Sequence, residues 1–204
     1  GKDTSHLTLA VAQIPLSADI RRNCDLMLRW TARAAESGAQ LVQFPETALS
    51  GYYGVHLKST DEIDRGCLER CNERLRRAAA GLGVWLAYGS THFEPGLEKP
   101  YNCLYLVDPL GVVKARYDKV FLTDTDRLAY APGRRLVLAN IGEFRVGLSI
   151  CFDMRFPEIF RRYLRAGANL VLISSFQSGG ERAAHMRTVA PSTLITRASE
   201  NGFN

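Results

Sequence analysis

Three side chains of different chemistry each stand just beyond a run of residues that reads as a β-strand. Glu46 follows Leu41-Val42-Gln43-Phe44-Pro45, Lys119 follows Val112 to Asp118, and Cys151 follows Val146-Gly147-Leu148-Ser149-Ile150 and precedes a helix signal. In open α/β folds, chemistry collects at the carboxyl ends of strands. A thiol, with a free pKa of about 8.5, is a weak nucleophile until its proton is removed. An adjacent carboxylate can take that proton, and an ammonium can stabilise the thiolate and any oxyanion formed later. Each residue also has a structural use. A strand cysteine is commonly a small buried hydrophobe, a glutamate after proline can cap a turn, and Lys119 can pair with Asp118. Taken singly, those structural uses are the commoner ones.

The elements that must position these residues alternate between strand and helix signals, with no linker, repeat or low-complexity tract. Leu7 to Ile14 reads as a buried strand closed by Pro15. Ile20 to Ser37 places Ile20, Cys24, Met27, Thr31 and Ala34 on one helical face, with Asp19 or Ser17 as N-cap and Gly38 as stop. Leu41 to Phe44 is a short strand. A helix is expected from about Leu68 to Leu82, followed by a strand over Val84 to Gly89. Strands at Tyr101 to Val107 and Val112 to Tyr117 flank the turn Asp108-Pro109-Leu110-Gly111. A polar loop from Lys119 to Gly133 leads to a hairpin of Leu136 to Ala139 and Phe144 to Ile150. A helix opens at Pro157, Leu170 to Ser174 is a strand, and Arg187 to Asn201 is helical despite Pro191. This is an α/β chain whose sheets need cover on both faces.

Composition narrows the classes. The chain has 204 residues, 46% apolar and 23% charged, which fits one globular domain with a real core. No apolar run approaches the ~20 residues of a membrane span. Lys and Arg exceed Asp and Glu by five, but the basic residues are scattered rather than gathered on one face or arm. That pattern argues against nucleic-acid binding. Five cysteines, an odd number spread through the chain, indicate reduced thiols in a cytoplasmic setting. Cys67 and Cys71 share a helix face, but no second Cys/His pair has matching spacing, so no metal site is expected.

The local sequences around the three residues resemble the nitrilase, or carbon–nitrogen hydrolase, superfamily. The similar segments are Leu41 to Tyr52, Tyr117-Asp118-Lys119-Val120-Phe121-Leu122, and Val146 to Glu158 with Cys151-Phe152-Asp153-Met154-Arg155-Phe156-Pro157 at its centre. Leu7 to Gln13, Arg165 to Asn169 and Arg197 to Asn201 support them in the same order. The resemblance implies an α-β-β-α sandwich, with two mixed sheets face to face and helices outside. It also implies a dimer of such sandwiches.

By the same resemblance, Glu46 is a general base, Lys119 an oxyanion-stabilising lysine and Cys151 a nucleophile. The implied reaction is hydrolysis of a non-peptide C–N bond through a thioester, with the backbone N–H of Phe152 as a second oxyanion donor and no cofactor or metal. Amides, carbamoyl amines and nitriles all suit that triad, and a small amide is the substrate expected. Tyr52, Tyr53, His56, Tyr130, Phe176 and Gln177 are candidate pocket walls. Many members carry a histidine two residues after the lysine, where this chain has Phe121. Many also carry a second glutamate in the loop that follows; here the nearest acid is Asp126, expected to be a supporting acid of smaller effect. Members continue past the Glu200-Asn201 helix with further strands. The expectation is therefore a single domain over residues 1–204, cut short at its C-terminal side and forming an even-numbered homo-oligomer. The competing reading is a protein of this fold that acts through partner contacts without catalysis.

Overall fold

A computed structural model describes residues 6–177, 179 and 181–203. Its elements in chain order are β1 (Leu9–Val11), α1 (Ile20–Glu36), β2 (Leu41–Gln43), α2 (Arg65–Leu82), β3 (Trp85–His92), β4 (Tyr101–Val107), β5 (Val113–Asp118), α3 (Asp124–Ala129), β6 (Leu138–Ile141), β7 (Phe144–Ile150), α4 (Pro157–Arg165), β8 (Leu170–Ser174) and α5 (Glu181–Asn201). One sheet has the order β1-β2-β3-β4-β5 and the other β6-β7-β8. Both are mixed: β1, β2 and β3 are parallel, β3-β4-β5 antiparallel, β6-β7 antiparallel and β7-β8 parallel.

The two-residue period of the strands sorts the core into layers. Val42, Leu86 and Tyr88 face α1 and α2, where they meet Cys24, Met27, Cys71, Leu75 and Ala79. Leu41, Ala87, Leu104 and Leu106 face the other way, onto Val146, Leu148, Ile150 and Leu172 of the second sheet. The outer face of that sheet, with Val171 and Ile173, is covered by Ile159, Phe160 and Tyr163 of α4 and Leu194 of α5. The layering is α-β-β-α. Among the described residues, no helix is long and apolar enough to cross a membrane.

Most helix limits follow their caps. Asp19 accepts from the N–H groups of Arg21 and Arg22 at 2.9 and 3.1 Å and opens α1. Asp64 does the same for Cys67 at 2.8 Å, so α2 begins three residues before the expected start at Leu68. Several expectations need correction: β6 runs over Leu138–Ile141 rather than Leu136 to Ala139, and α5 begins at Glu181 rather than Arg187. The segment read as one buried strand from Leu7 to Ile14 is a strand only over Leu9–Val11, and Leu9 and Val11 are 39% and 67% exposed. The cause is its place at the sheet edge, with β2 on one side only. The loop after Lys119 is not all loop, because Thr123 caps the short helix α3 by accepting from the Asp126 N–H at 3.1 Å.

Candidate active site

Backbone contacts place Glu46 and Lys119, and a sharp turn at the end of a strand places Cys151. Beyond β2, the Phe44 N–H donates to Ala87 O at 2.8 Å and carries the strand toward Glu46. The turn at Glu46 then lies directly on β3, where Gly89 N–H donates to Pro45 O at 3.2 Å and Leu49 N–H to Gly89 O at 3.1 Å. A Cβ on Gly89 would stand 2.3 Å from Thr47 N, so only glycine permits this approach. Lys119 is held by its N–H to Asn102 O at 2.9 Å and by its carbonyl, which accepts from Gly133 N–H at 2.8 Å. Gly133 is the second close approach, since a Cβ there would sit 2.0 Å from Asp118 O.

Cys151 occupies the first position of a 3₁₀ turn, Cys151–Arg155, that begins where β7 ends. Its φ of 44° is in the left-handed region, a strained conformation for a residue with a Cβ. Such an abrupt strand-to-helix corner raises the thiol out of the sheet. The parallel register of Ile150 with Ser174 brings the segment after β8 alongside, and the Cys151 thiol lies 3.8 Å from Phe176 O. Ser174 also ties the sheets together here, accepting from Gln43 Nε2 at 3.2 Å and donating to Phe44 O at 2.8 Å.

The side chains converge on a dry ion cluster. Lys119 Nζ is 2.7 Å from Glu46 Oε1 and 2.7 Å from Asp126 Oδ2, with all three side chains no more than 1% exposed. Glu46 Oε1 also accepts from Asn102 Nδ2 at 2.8 Å, and Oε2 from Phe176 N–H at 3.1 Å. Asp126 Oδ1 accepts from the Tyr52 hydroxyl at 3.1 Å, and Oδ2 from Thr123 N–H at 3.1 Å. Burial alone would drive the Lys119 ammonium toward neutrality, but Glu46, Cys151 and Asp126 outweigh it and hold its pKa well above the usual lysine value. Burial, followed by the Glu46 carboxylate, pushes the Cys151 thiol up to about 12, with Lys119 opposing the shift. One cation faces two carboxylates, so the cluster carries a surplus negative charge and Cys151 rests as a thiol.

A cavity of about 240 Å³ opens above the thiol. Of the candidate walls, Tyr52, Tyr53, Phe176 and Gln177 line it, as does Phe152 beside Cys151. The Tyr52 ring lies 4.9 Å from that of Phe176. Tyr130 is not among the lining residues; it is 1% exposed and packs with Leu122 and Ala129 beneath Tyr53. His56 stands behind the wall, with Nδ1 accepting from Tyr52 N–H at 3.0 Å and its ring edge-on to Phe176. Phe121 stacks on Phe156 at 3.6 Å, with Phe152 edge-on to that pair.

Some residues of the site were given no role by the sequence, among them Met154 and Arg155, which lie inside the motif around Cys151. Asn102 sits inside the apolar run of β4 with no spacing motif to mark it, yet it is fully buried against Glu46. Arg155 and Met154 lie in the segment after Cys151, and both line the cavity. Arg155 is the one charged side chain among the described lining residues, with its guanidinium 5.2 Å over the Phe152 ring.

A family model described as carbon–nitrogen hydrolase matches residues 8–203. The chain is 32% identical over 181 residues to a protein of Mycobacterium tuberculosis named only as a hydrolase, covering 85% of this chain and 62% of that one. It is 30% identical over 183 residues to the deaminated glutathione amidase of Yersinia enterocolitica, covering 81% and 60%. The chain thus spans less than two thirds of the length of these curated relatives. Among solved structures, an amidase from Nesterenkonia sp. superposes with a TM-score of 0.83 at 31% identity, over 98% of this chain and 74% of that one. In a variant of that amidase, acrylamide has undergone Michael addition at the active site cysteine.

Proposed function

The chain belongs to the carbon–nitrogen hydrolase family, and from that premise we propose that it hydrolyses the C–N bond of a small, non-peptide amide through a thioester on Cys151. One observation carries the reading. Of the five cysteines, Cys151 alone is not buried, and it opens on the cavity beside the carboxylate that grips Lys119.

Because the thiol is protonated at rest, attack and proton transfer occur together. Glu46 takes the Cys151 proton as Sγ bonds to the amide carbon, and the C=O electron pair moves onto oxygen. The oxyanion accepts from the Lys119 ammonium and the Phe152 N–H, each worth about 3 kcal/mol in comparable sites. Collapse expels the amine, which takes the proton held by Glu46 and leaves an acyl thioester. Glu46 then removes a proton from water, whose oxygen attacks the thioester, and the proton returns to the departing sulfur. The sum is amide plus water giving carboxylic acid plus amine. Asp126 supports Lys119 from its second side, so that the lysine does not follow Glu46 as that carboxylate gains and loses its proton.

The cavity walls favour a compact substrate with an apolar middle. Arg155 at the rim suits an anionic group at the end remote from the amide, because an arginine fork binds carboxylates with two parallel hydrogen bonds. The reading includes a homodimer and a cytoplasmic location, supported by the exposed Ile195 of α5 and by four buried free thiols. The test is ammonia release from a panel of small amides with and without a terminal carboxylate, together with trapping of an acyl mass on the Cys151 peptide. Turnover that survives in Cys151→Ala would end the thioester mechanism, and no turnover of any amide would end the hydrolase reading.

A further inference from the structure

Two loops must keep a fixed spacing for an oxyanion between Lys119 and the Phe152 N–H to be held. These loops leave different sheets: Lys119 follows β5 of the five-stranded sheet, and Phe152 follows β7 of the three-stranded sheet. Packing between the sheets is largely apolar, and Ser174 ties them together beside Glu46 through Gln43 and Phe44. Beside the stack of Phe121 on Phe156, one buried acid hydrogen-bonds both loops. Asp153, fully buried, accepts from Phe121 N–H at 2.8 Å through Oδ1. Through Oδ2 it accepts from the Tyr117 hydroxyl at 2.8 Å and from Ile150 N–H at 3.0 Å. Tyr117 and Phe121 flank Lys119 by two residues on either side, while Ile150 and Asp153 enclose Cys151 and Phe152.

We propose that Asp153 is a positioning residue that locks the Lys119 loop to the Cys151 turn and thereby sets the span of the oxyanion site. The inference rests on the hydrolase reading above. A buried carboxylate is costly, and burial pushes Asp153 up to about 6 even though three hydrogen bonds and Lys119 oppose the shift. An apolar residue would leave the Phe121 N–H, the Ile150 N–H and the Tyr117 hydroxyl buried without an acceptor, so the acid is kept for the bonds it makes to both loops. Three donors from two sheets need an acceptor with two oxygens and several lone pairs, which an ionised carboxylate provides and an amide does not. In Asp153→Asn, one side of the group becomes a donor and must face Ile150 N–H or Phe121 N–H. One of the two loops is released.

Alkylation of a thiol needs no oxyanion site, whereas amide hydrolysis does. The two reactions therefore separate positioning from folding. Purified wild type, Asp153→Asn and Tyr117→Phe are compared for kcat and KM on an amide the wild type hydrolyses, per site titrated with iodoacetamide, and for the rate of Cys151 alkylation. A misplacement of about 1 Å costs on the order of 100-fold in turnover. Asp153→Asn is therefore expected to lose on the order of 100-fold in kcat, with KM and the alkylation rate each within about threefold of wild type. Tyr117→Phe removes one of the three bonds and is expected to lose roughly three- to tenfold in kcat. Unchanged kcat in Asp153→Asn, or a fall in kcat matched by an equal fall in alkylation, overturns the proposal. If Asp153→Asn does not fold, Tyr117→Phe decides, and an unchanged kcat there overturns it. A wild-type protein that releases no amine from any amide defeats the hydrolase reading and this proposal with it. An active wild type beside an unaffected Asp153→Asn defeats the proposal alone.

Discussion

Lys119 Nζ and Glu46 Oε1 touch at 2.7 Å with neither side chain exposed to solvent, and Asp126 meets the same nitrogen at the same distance. The lysine is shared equally by two acids, and only one of them borders the thiol. In the proposed mechanism, Asp126 keeps Lys119 paired while Glu46 passes a proton between the thiol, the amine and water.

Removing Lys119 is expected to cost stability as well as activity. Lys119→Met leaves Glu46 and Asp126 buried near one another with no cation between them. Breaking a buried pair in this way costs about 3–5 kcal/mol. Urea denaturation should show a lower midpoint with little change in slope, and turnover should be lost. A variant as stable as wild type would mean that water reaches the cluster and screens it.

Asp126→Asn should reduce kcat by roughly tenfold to 100-fold, more than its position in the sequence suggested. The contact at 2.7 Å is as short as that of Glu46, so the missing methylene is made up by the capped turn of α3. Normal kinetics in this variant would reduce Asp126 to a helix-capping residue bonded to Thr123.

Glu46→Gln should separate two reactions of the same thiol. Hydrolysis needs a base and should vanish. Alkylation needs thiolate, and the Glu46 carboxylate is among the causes that push the thiol up to about 12. Neutralising it lowers the folded-state pKa, so more thiolate is present at pH 8 and iodoacetamide should label Cys151 faster than in wild type. The wild-type rate should still be climbing at pH 9 with no plateau. Slower labelling in Glu46→Gln would show that Glu46 activates the thiol even toward alkyl halides.

Gly89→Ala tests the close approach beneath Glu46. The added methyl would meet Thr47 N at 2.3 Å and must displace the Glu46 turn. A loss of about 1–3 kcal/mol is expected from overpacking, with turnover falling further than stability. Gly81→Ala, in α2 with nothing within 4 Å of the new methyl, is the control and should stabilise by about 0.5–1 kcal/mol. Thermal melting of both variants checks the pair.

Arg155→Leu should move substrate preference rather than abolish chemistry. For amides bearing a remote carboxylate, kcat/KM should fall by roughly tenfold or more. For neutral amides of similar size it should change little. Equal losses on both classes would place Arg155 in the architecture of the Cys151 turn.

How much of this was legible in the chain depended on the kind of signal. Tyr101–Val107 and Leu170–Ser174 are strands with the limits their apolar runs implied, because both are covered on two faces. Leu9–Val11 escaped that logic, since Leu9 and Val11 are left exposed and the apolar run around them is not covered on both faces. Six-residue α3 is too short to show a helical period, although Thr123 and Asp126 hold its capping pattern. Glu46, Lys119 and Cys151 were marked by type and position at strand ends and singled out by the family resemblance of their local sequences, and the structure brings their loops together. Asn102 could not be found that way, because a lone asparagine in a strand says nothing about what it faces. Tyr130 shows the converse, an aromatic in a loop beside the site whose ring the fold turned inward.

The surplus negative charge of the buried cluster bears on what leaves the site as well as on what enters. Hydrolysis of an uncharged amide group creates a carboxylic acid, which ionises at neutral pH within a few ångströms of Glu46. At about 5 Å and an effective dielectric of about 20, two like charges repel by about 3 kcal/mol. The new acid is pushed outward while the intact amide feels no such force. In the proposed cycle, the two carboxylates that share Lys119 would therefore set a low affinity for product and hasten its departure without any moving part, while the overall equilibrium stays that of the uncatalysed reaction.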